Sequence, residues 1–316
     1  VSGVGPVTIA LVGAGRMGGV HLEALRSSEL IEVTGVVDPV PATRERLAAE
    51  GLATYATVAE LLAAGAPEGV LIAAPSDRHA ALVAELAAAR VAVLCEKPVG
   101  IAAEQAEAAA AAARSAGTIL QVGYWRRFVP ELRALRAKIA GGELGEIYQI
   151  SSMQWDAEPP TPEFAAHSGG IAIDMGVHEF DQIRWLAGQD FGELAGVPGP
   201  RLYTHEPADF ESAVLLGHLS GGAAAVVSLG RRFPHADSCW VEIWGTKGYD
   251  RVPFMWDADV WAPGSGTVFL DSMRAQAEAF ARSLRGEPTD AATGEDAVAA
   301  LRTAERAARA LAEARR

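Results

Sequence analysis

Cysteine is scarce: Cys95 and Cys239 are the only two in 316 residues. A chain long enough to bury a large core does not need a disulfide for stability, so the pair points to free thiols and a reducing, cytoplasmic setting. Basic residues are in deficit. Lys and Arg total 27 against 40 Asp and Glu, a net charge of −13, and no basic run interrupts that acidity, which argues against a nucleic-acid partner. Long apolar runs are missing too. Each hydrophobic stretch is broken by charge well short of the roughly 18–20 residues that cross a bilayer, so no membrane partner is expected. Residues 1–6 show no basic region followed by an apolar core, so no signal peptide is read there. What remains is 50 % hydrophobic and 21 % charged, the balance of a globular protein rather than a disordered one, at a length that favours two domains.

Residues 7–124 alternate short apolar runs with helical stretches. Strands are predicted at 7–12, 31–37, 53–55, 70–73, 91–95 and 118–122, with helices between them. Strands apolar on both faces, separated by crossover helices, imply an N-terminal doubly wound parallel sheet of the Rossmann type. From residue 125 the pattern changes. Helices are predicted at 129–140 and 173–186, a longer alternating strand at 146–155, a proline-rich loop at 159–162, and strands at 212–219, 223–229 and 240–244. Two helices follow, at 272–284 and 295–312. This reads as a C-terminal α/β domain over 125–316 with an open, mostly antiparallel sheet.

Gly13, Gly15 and Gly18, with Arg16 and Met17 between them, form G-x-G-x-x-G between a predicted strand and a predicted helix. The first glycine permits the tight turn, the second lets a pyrophosphate approach the backbone, and the third lets helix and strand pack closely. Asp38 follows the next strand, 20 residues past Gly18, the spacing of an acid that binds the adenosine ribose. A carboxylate there repels a 2′-phosphate and favours NAD over NADP, although Arg44 lies within reach of such a phosphate. The competing reading is a steric turn followed by a capping aspartate.

Two further clusters carry chemistry. Glu96-Lys97-Pro98 follows the fifth strand, at the sheet edge where ligands bind. A lysine there stabilises negative charge developing on a substrate oxygen, or else makes a surface ion pair with Glu96. Cys95 reads as a small buried hydrophobe. Asp174 and His178 are four apart, on one face of the predicted helix, behind the small residues Gly169 and Gly170. An imidazole oriented by a carboxylate suits proton transfer near neutral pH; the alternative is an ordinary helix-surface pair, and no third ligand completes a metal motif.

Together, Gly13 to Gly18, Glu96-Lys97-Pro98, and Gly169-Gly170 through Asp174 and His178 resemble the Gfo/Idh/MocA oxidoreductase family over nearly the whole chain. The stretches 121–128 and 178–181 look most like the inositol dehydrogenases within it. The resemblance implies a Rossmann domain followed by an α/β domain, and a homo-dimer or homo-tetramer assembled across the second sheet. It implies NAD as cofactor and reversible oxidation of a secondary alcohol on a cyclic polyol, myo- or scyllo-inositol, or a sugar. It also implies Lys97, Asp174 and His178 as the catalytic set, with His178 the general acid/base. Pro75, Ser76 and His79 match a segment beside the nicotinamide, although His79 serves equally well as a capping or packing residue. Arg127 is either a substrate contact or half of a structural ion pair. Trp155, Asp156 and His167 lie near the proline-rich loop, and Arg231, Arg232, His235 and Asp237 precede a strand where the family places substrate contacts. Trp155 and His235 are the candidates taken from these. Asp181 reads as support for the helix. A biosynthetic keto-sugar or imine reductase and a non-catalytic NAD(H) sensor are the alternatives.

Overall fold

The computed structural model describes residues 5–202, 209–258 and 267–315; residues 1–4, part of the stretch read above for a signal peptide, lie outside them. The chain forms two compact units. One comprises residues 1–100, 104–125 and 270–298, the other 101–103, 126–269 and 299–316.

In the first unit β1 (Val7–Val12), α1 (Arg16–Leu25), β2 (Ile31–Val37), α2 (Pro41–Ala49), β3 (Thr54–Tyr55), α3 (Val58–Ala64), β4 (Gly69–Ile72), α4 (His79–Ala88), β5 (Ala92–Cys95), α5 (Ala103–Ala116) and β6 (Leu120–Val122) follow one another. The strands form a parallel sheet in the order β6-β5-β4-β1-β2-β3, extended beyond β6 by the antiparallel two-residue strand Ala292–Thr293. β4 and β5 are buried at every position, which is why their sequences lack polar alternation. The direction of winding reverses at β1. The strands also end in register. Val12 lies beside Val37 and Ile72, Ile72 beside Cys95, and Cys95 beside Val122. The residues that follow, Gly13, Asp38, Ala73, Glu96 and Gly123, therefore form one row along the carboxyl edge of the sheet, the place where open α/β sheets take ligands.

Residues 270–298 complete this unit. Helix Thr267–Leu284 lays Phe280, fully buried, on β4, so closely that a Cβ at Gly69 would come within 2.7 Å of its ring. Burying that ring contributes about 2–3 kcal/mol. The Gln121 amide donates to the Ser283 hydroxyl at 2.6 Å. A cut after residue 124 leaves these partners out, because an amphipathic helix declares an apolar face but not the sheet it will cover.

The second unit contains α6 (Pro130–Ala140), β7 (Ile147–Trp155), α7 (Pro162–Ser168), α8 (Ile171–Asp174), α9 (Gly176–Ala187), β8 (Phe191–Pro198), β9 (Ser212–Leu219), β10 (Ala224–Gly230), β11 (Asp237–Gly245) and β12 (Gly248–Ala258). The sheet order is β12-β11-β7-β10-β9-β8, antiparallel except where β7 lies parallel to β10. The fold class expected from the sequence is the one found. α9 packs on β7 and β10 and is buried along almost its whole length. The other face of the sheet is exposed: along β9, Ala213 and Leu215 point inward while Val214 and Leu216 point outward.

The predicted helix 173–186 is two helices. α8 ends at Asp174, α9 begins at Gly176, and Met175 joins them at φ −91°, ψ −48°. Asp174 therefore closes one helix, and His178 lies in the first turn of the next. The proline-rich loop holds a short helix, α7, started by Pro162 and capped by the Thr161 hydroxyl, which accepts the Phe164 N–H. The edge strands β8 and β12 escape sequence reading because F-G-E-L-A-G-V-P and its counterpart mix glycine, proline and charge.

Candidate active site

In the first unit the glycine turn is built by close contact. Gly13 adopts φ +90°, and a Cβ there would lie 2.7 Å from the Ala74 nitrogen; a Cβ on Gly18 would lie 2.1 Å from the Gly13 carbonyl oxygen. Gly15 is different, since nothing lies within 4 Å of its missing Cβ. It sits at the N-terminus of α1, which has neither a side-chain cap nor an acidic residue in its first turn. The backbone is thus bare where the helix dipole is positive, a cradle fitted to a pyrophosphate. Arg16 beside it is exposed, and Met17 packs back onto the core.

Asp38 is 6 % exposed. One carboxylate oxygen accepts the Ala14 N–H at 2.9 Å and the other accepts the Val40 N–H at 2.9 Å, so the acid braces the glycine turn. The Arg44 guanidinium donates to the Asp38 carbonyl at 2.7 Å. These residues fit NAD, and the carboxylate opposes a 2′-phosphate.

Pro75 opens the short turn Ser76–Arg78 at the end of β4. His79 behind it is buried, with Nδ1 2.7 Å from the Pro98 carbonyl oxygen and Nε2 2.7 Å from that of Ala74. Burial holds its pKa below the usual histidine value, against the pull of the two carbonyls and of Glu96. Glu96 is buried against His21, Nε2 to Oε1 at 2.8 Å. Lys97, next in the chain, is half-buried. The one sequence signal for His21 is a polar residue on the otherwise apolar inward face of α1, too weak to mark it.

In the second unit Asp174 is held by Arg231. The guanidinium is 1 % exposed and donates to Asp174 Oδ2 at 2.6 Å and to Asp209 Oδ1 at 3.4 Å, and it lies 3.8 Å from Asp156 Oδ2. Three carboxylates thus share one buried guanidinium. The Asp156 side chain keeps 30 % exposure. Desolvation outweighs Arg231 and Gln154, and with Asp174 and Asp237 adding repulsion the Asp156 carboxyl is pushed up to about 6. The sequence placed Arg231 only before a strand and gave no signal for Asp209.

His178 is buried and donates its backbone N–H to the Met175 carbonyl at 3.0 Å. The next residue, Glu179, is fully buried and pairs with the Arg126 guanidinium and the Ser152 hydroxyl. Arg126 also donates to Gln154 at 2.8 Å and stacks 5.1 Å above the Phe254 ring. Arg127 makes a buried two-pronged pair with Asp181, at 3.0 and 2.5 Å, the structural alternative named for it above. Alternate acids of α9 are thus locked to adjacent arginines, which fixes the helix that carries His178. Trp155 covers Gly230, where a Cβ would lie 2.1 Å from its ring, and donates to the Ser228 hydroxyl at 3.2 Å. His167 and His235 are exposed, the latter 5.6 Å from the Phe233 ring.

Among the described residues no helix is long and apolar enough to cross a membrane. Residues 7–124 match the model of an oxidoreductase family with an NAD-binding Rossmann fold, and residues 132–249 match the GFO/IDH/MocA C-terminal domain. The chain is 46 % identical over 300 residues to the rhizopine catabolism protein MocA of Rhizobium meliloti, covering 95 % of this chain and 93 % of that one. It is 33 % identical to the myo-inositol dehydrogenase Hyg17 of Streptomyces leeuwenhoekii, over 96 % and 97 % of the two chains. A scyllo-inositol dehydrogenase from Lactobacillus casei, solved with NAD(H) and scyllo-inositol, shares the fold at a TM-score of 0.85 and 23 % identity, over 98 % and 97 % of the two chains.

Proposed function

The chain belongs to the Gfo/Idh/MocA family of NAD-binding oxidoreductases, and from that premise we propose that it reversibly oxidises a secondary alcohol of a cyclic polyol, an inositol, to the ketone. When bound, NAD supplies the hydride acceptor. Gly13, Gly15, Arg16, Met17 and Gly18 hold its pyrophosphate, Asp38 its ribose, and Pro75, Ser76 and Glu96 line its nicotinamide half, with His79 buried behind them. His178 takes the proton of the reacting hydroxyl, and the Lys97 ammonium stabilises charge as it develops on that oxygen. Asp174, steadied by Arg231, holds the substrate or the imidazole. Trp155 and His235 bound the polyol, and Arg127 serves through its pair with Asp181.

The observation that carries the reading is the row of strand ends, which sets the glycine turn, Asp38 and Glu96-Lys97 along one sheet edge. The test is NADH formation across a panel of inositols and aldoses, with Lys97→Met and His178→Gln measured beside the native enzyme. A loss of about 10²-fold or more at His178 is expected of a general base. Near-native turnover in both variants sinks the assignment.

The 46 % relative is named for rhizopine catabolism, not for inositol oxidation. The second reading, reduction of a keto-sugar or imine, is therefore run in the NADH-consuming direction on the same panel. NADH binding with no turnover of any of these compounds indicates a sensor. The exposed outer face of the second sheet, with Val197, Val214, Leu216 and Tyr249 between 40 and 64 % exposed, supports assembly with further copies of the chain as a dimer or tetramer. The two free, buried cysteines accord with work in the cytoplasm.

A further inference from the structure

Lys97 is flanked by two residues that are each held by a buried histidine from a different element. His21, on α1 and 1 % exposed, brings Nε2 to 2.8 Å from Glu96 Oε1. The other oxygen of Glu96 accepts the Lys97 backbone N–H at 3.2 Å. The same carboxylate presses on Gly123, where a Cβ would come within 2.9 Å of it. His79, the first residue of α4 and also 1 % exposed, has one ring nitrogen 2.7 Å from the Pro98 carbonyl and the other 2.7 Å from the Ala74 carbonyl. The charged groups that act on His79 are Glu96 and Lys97 themselves.

Packing alone does not account for these rings. A buried imidazole costs more to desolvate than an apolar side chain of the same volume. His21 spends its one side-chain hydrogen bond on Glu96 and leaves Nδ1 buried with no partner among the described residues. Nε2 is thus the nitrogen that meets the carboxylate acceptor. Both ring nitrogens of His79 face backbone carbonyls of the loops that end β4 and β5, and the ring in its neutral form donates to one of the two. One ring therefore ties the Lys97 loop to its neighbour, and the other ties it to the helix whose first turn is the dinucleotide cradle.

We propose that His21 and His79 are positioning residues for Lys97: they hold the 96–98 segment from two sides, so that the ammonium is set before substrate arrives, and His21 makes that setting depend on the helix that receives the cofactor. This rests on the role given to Lys97 above.

The test compares His21→Leu, His21→Gln, His79→Phe, His79→Gln and Lys97→Met, and the doubles that join each apolar variant to Lys97→Met. The readouts are kcat and KM on the best polyol, NADH affinity by fluorescence titration, and amide hydrogen exchange of the cofactor-free protein. His21→Leu and His79→Phe are expected to lower kcat roughly 10–100-fold, the cost of an ångström-scale misplacement, with a smaller change in KM. They are also expected to speed exchange at 96–100 while leaving the other sheet strands as they were. His21→Gln, whose amide can donate to Glu96, recovers most of the rate. In the doubles the histidine changes cost nothing beyond Lys97→Met, because the lysine they position is already gone.

Rate losses that persist in full in the doubles, or unchanged exchange at 96–100 in the single variants, overturn the inference and leave packing. If the apolar variants do not fold, the two glutamine variants carry the same exchange and rate comparison. Native turnover in Lys97→Met would instead remove the role of the lysine, whereas an inert Lys97→Met beside fully active histidine variants removes only the brace.

Discussion

Arg231 and Asp174 are joined at 2.6 Å by a guanidinium that is itself 1 % exposed. The acid proposed to hold the substrate or the imidazole is therefore paired with a buried guanidinium, and its geometry is set by a residue 57 positions further along the chain. Removing the arginine deletes a buried cation that Asp174 shares with the fully buried Asp209. Arg231→Met should cost about 3–5 kcal/mol of stability, the range for breaking a buried pair by deleting one partner. Urea unfolding measures it, and a loss below about 1 kcal/mol would mean that the pair is not buried in solution.

Asp38 offers a test of cofactor choice. Its carboxylate already accepts two backbone N–H groups, which aim it, and it opposes a 2′-phosphate. NADH should bind more tightly than NADPH, and Asp38→Ala should weaken NADH about 10-fold or more as a charge-assisted bond is lost. Equal affinity of the native protein for the two cofactors would show that Arg44 turns from the Asp38 carbonyl to the phosphate.

Asp156 gives a pH signature. Its folded pKa, about 6, lies above the 3.8 of an unperturbed aspartate. Between those values the folded state holds more protons than the unfolded one, so this group subtracts stability as pH rises from about 4 to 6 and the penalty stays in place above that. Asp156→Asn should raise the Tm at pH 7.5 and change it little at pH 4. A Tm gain of the same size at both pH values would assign the effect to packing.

Cys95 and Cys239 are buried, and burial pushes both thiols well above their ordinary pKa. Neither should react with iodoacetamide in the native protein over the time that both are modified in denaturant. Mass spectrometry of the alkylated protein settles it.

The first sheet was legible because strands buried on both faces write continuous apolar runs, and the predicted strand 31–37 is β2 residue for residue. The glycine turn and Asp38 were legible because their roles depend on local spacing. The Arg231–Asp174 and His21–Glu96 pairs were not, since no periodicity marks two polar residues 57 or 75 apart that meet in a core. The break at Met175 was hidden for another reason. The four-residue spacing of Asp174 and His178 is the same whether one helix carries them or two in succession, and the glycines at 169, 170 and 176 loosen the backbone there.

The tie between β6, the strand at 292–293 and Phe280 bears on how the protein is made. During synthesis the first six strands emerge early, but the helix that seats on Gly69 and the strand that closes the sheet edge are not available until the ribosome has reached residue 298. The nascent dinucleotide domain therefore waits, with an open edge and an apolar groove, while the whole second sheet is translated. Over that interval the unpaired edge and the uncovered apolar surface are open to wrong pairing.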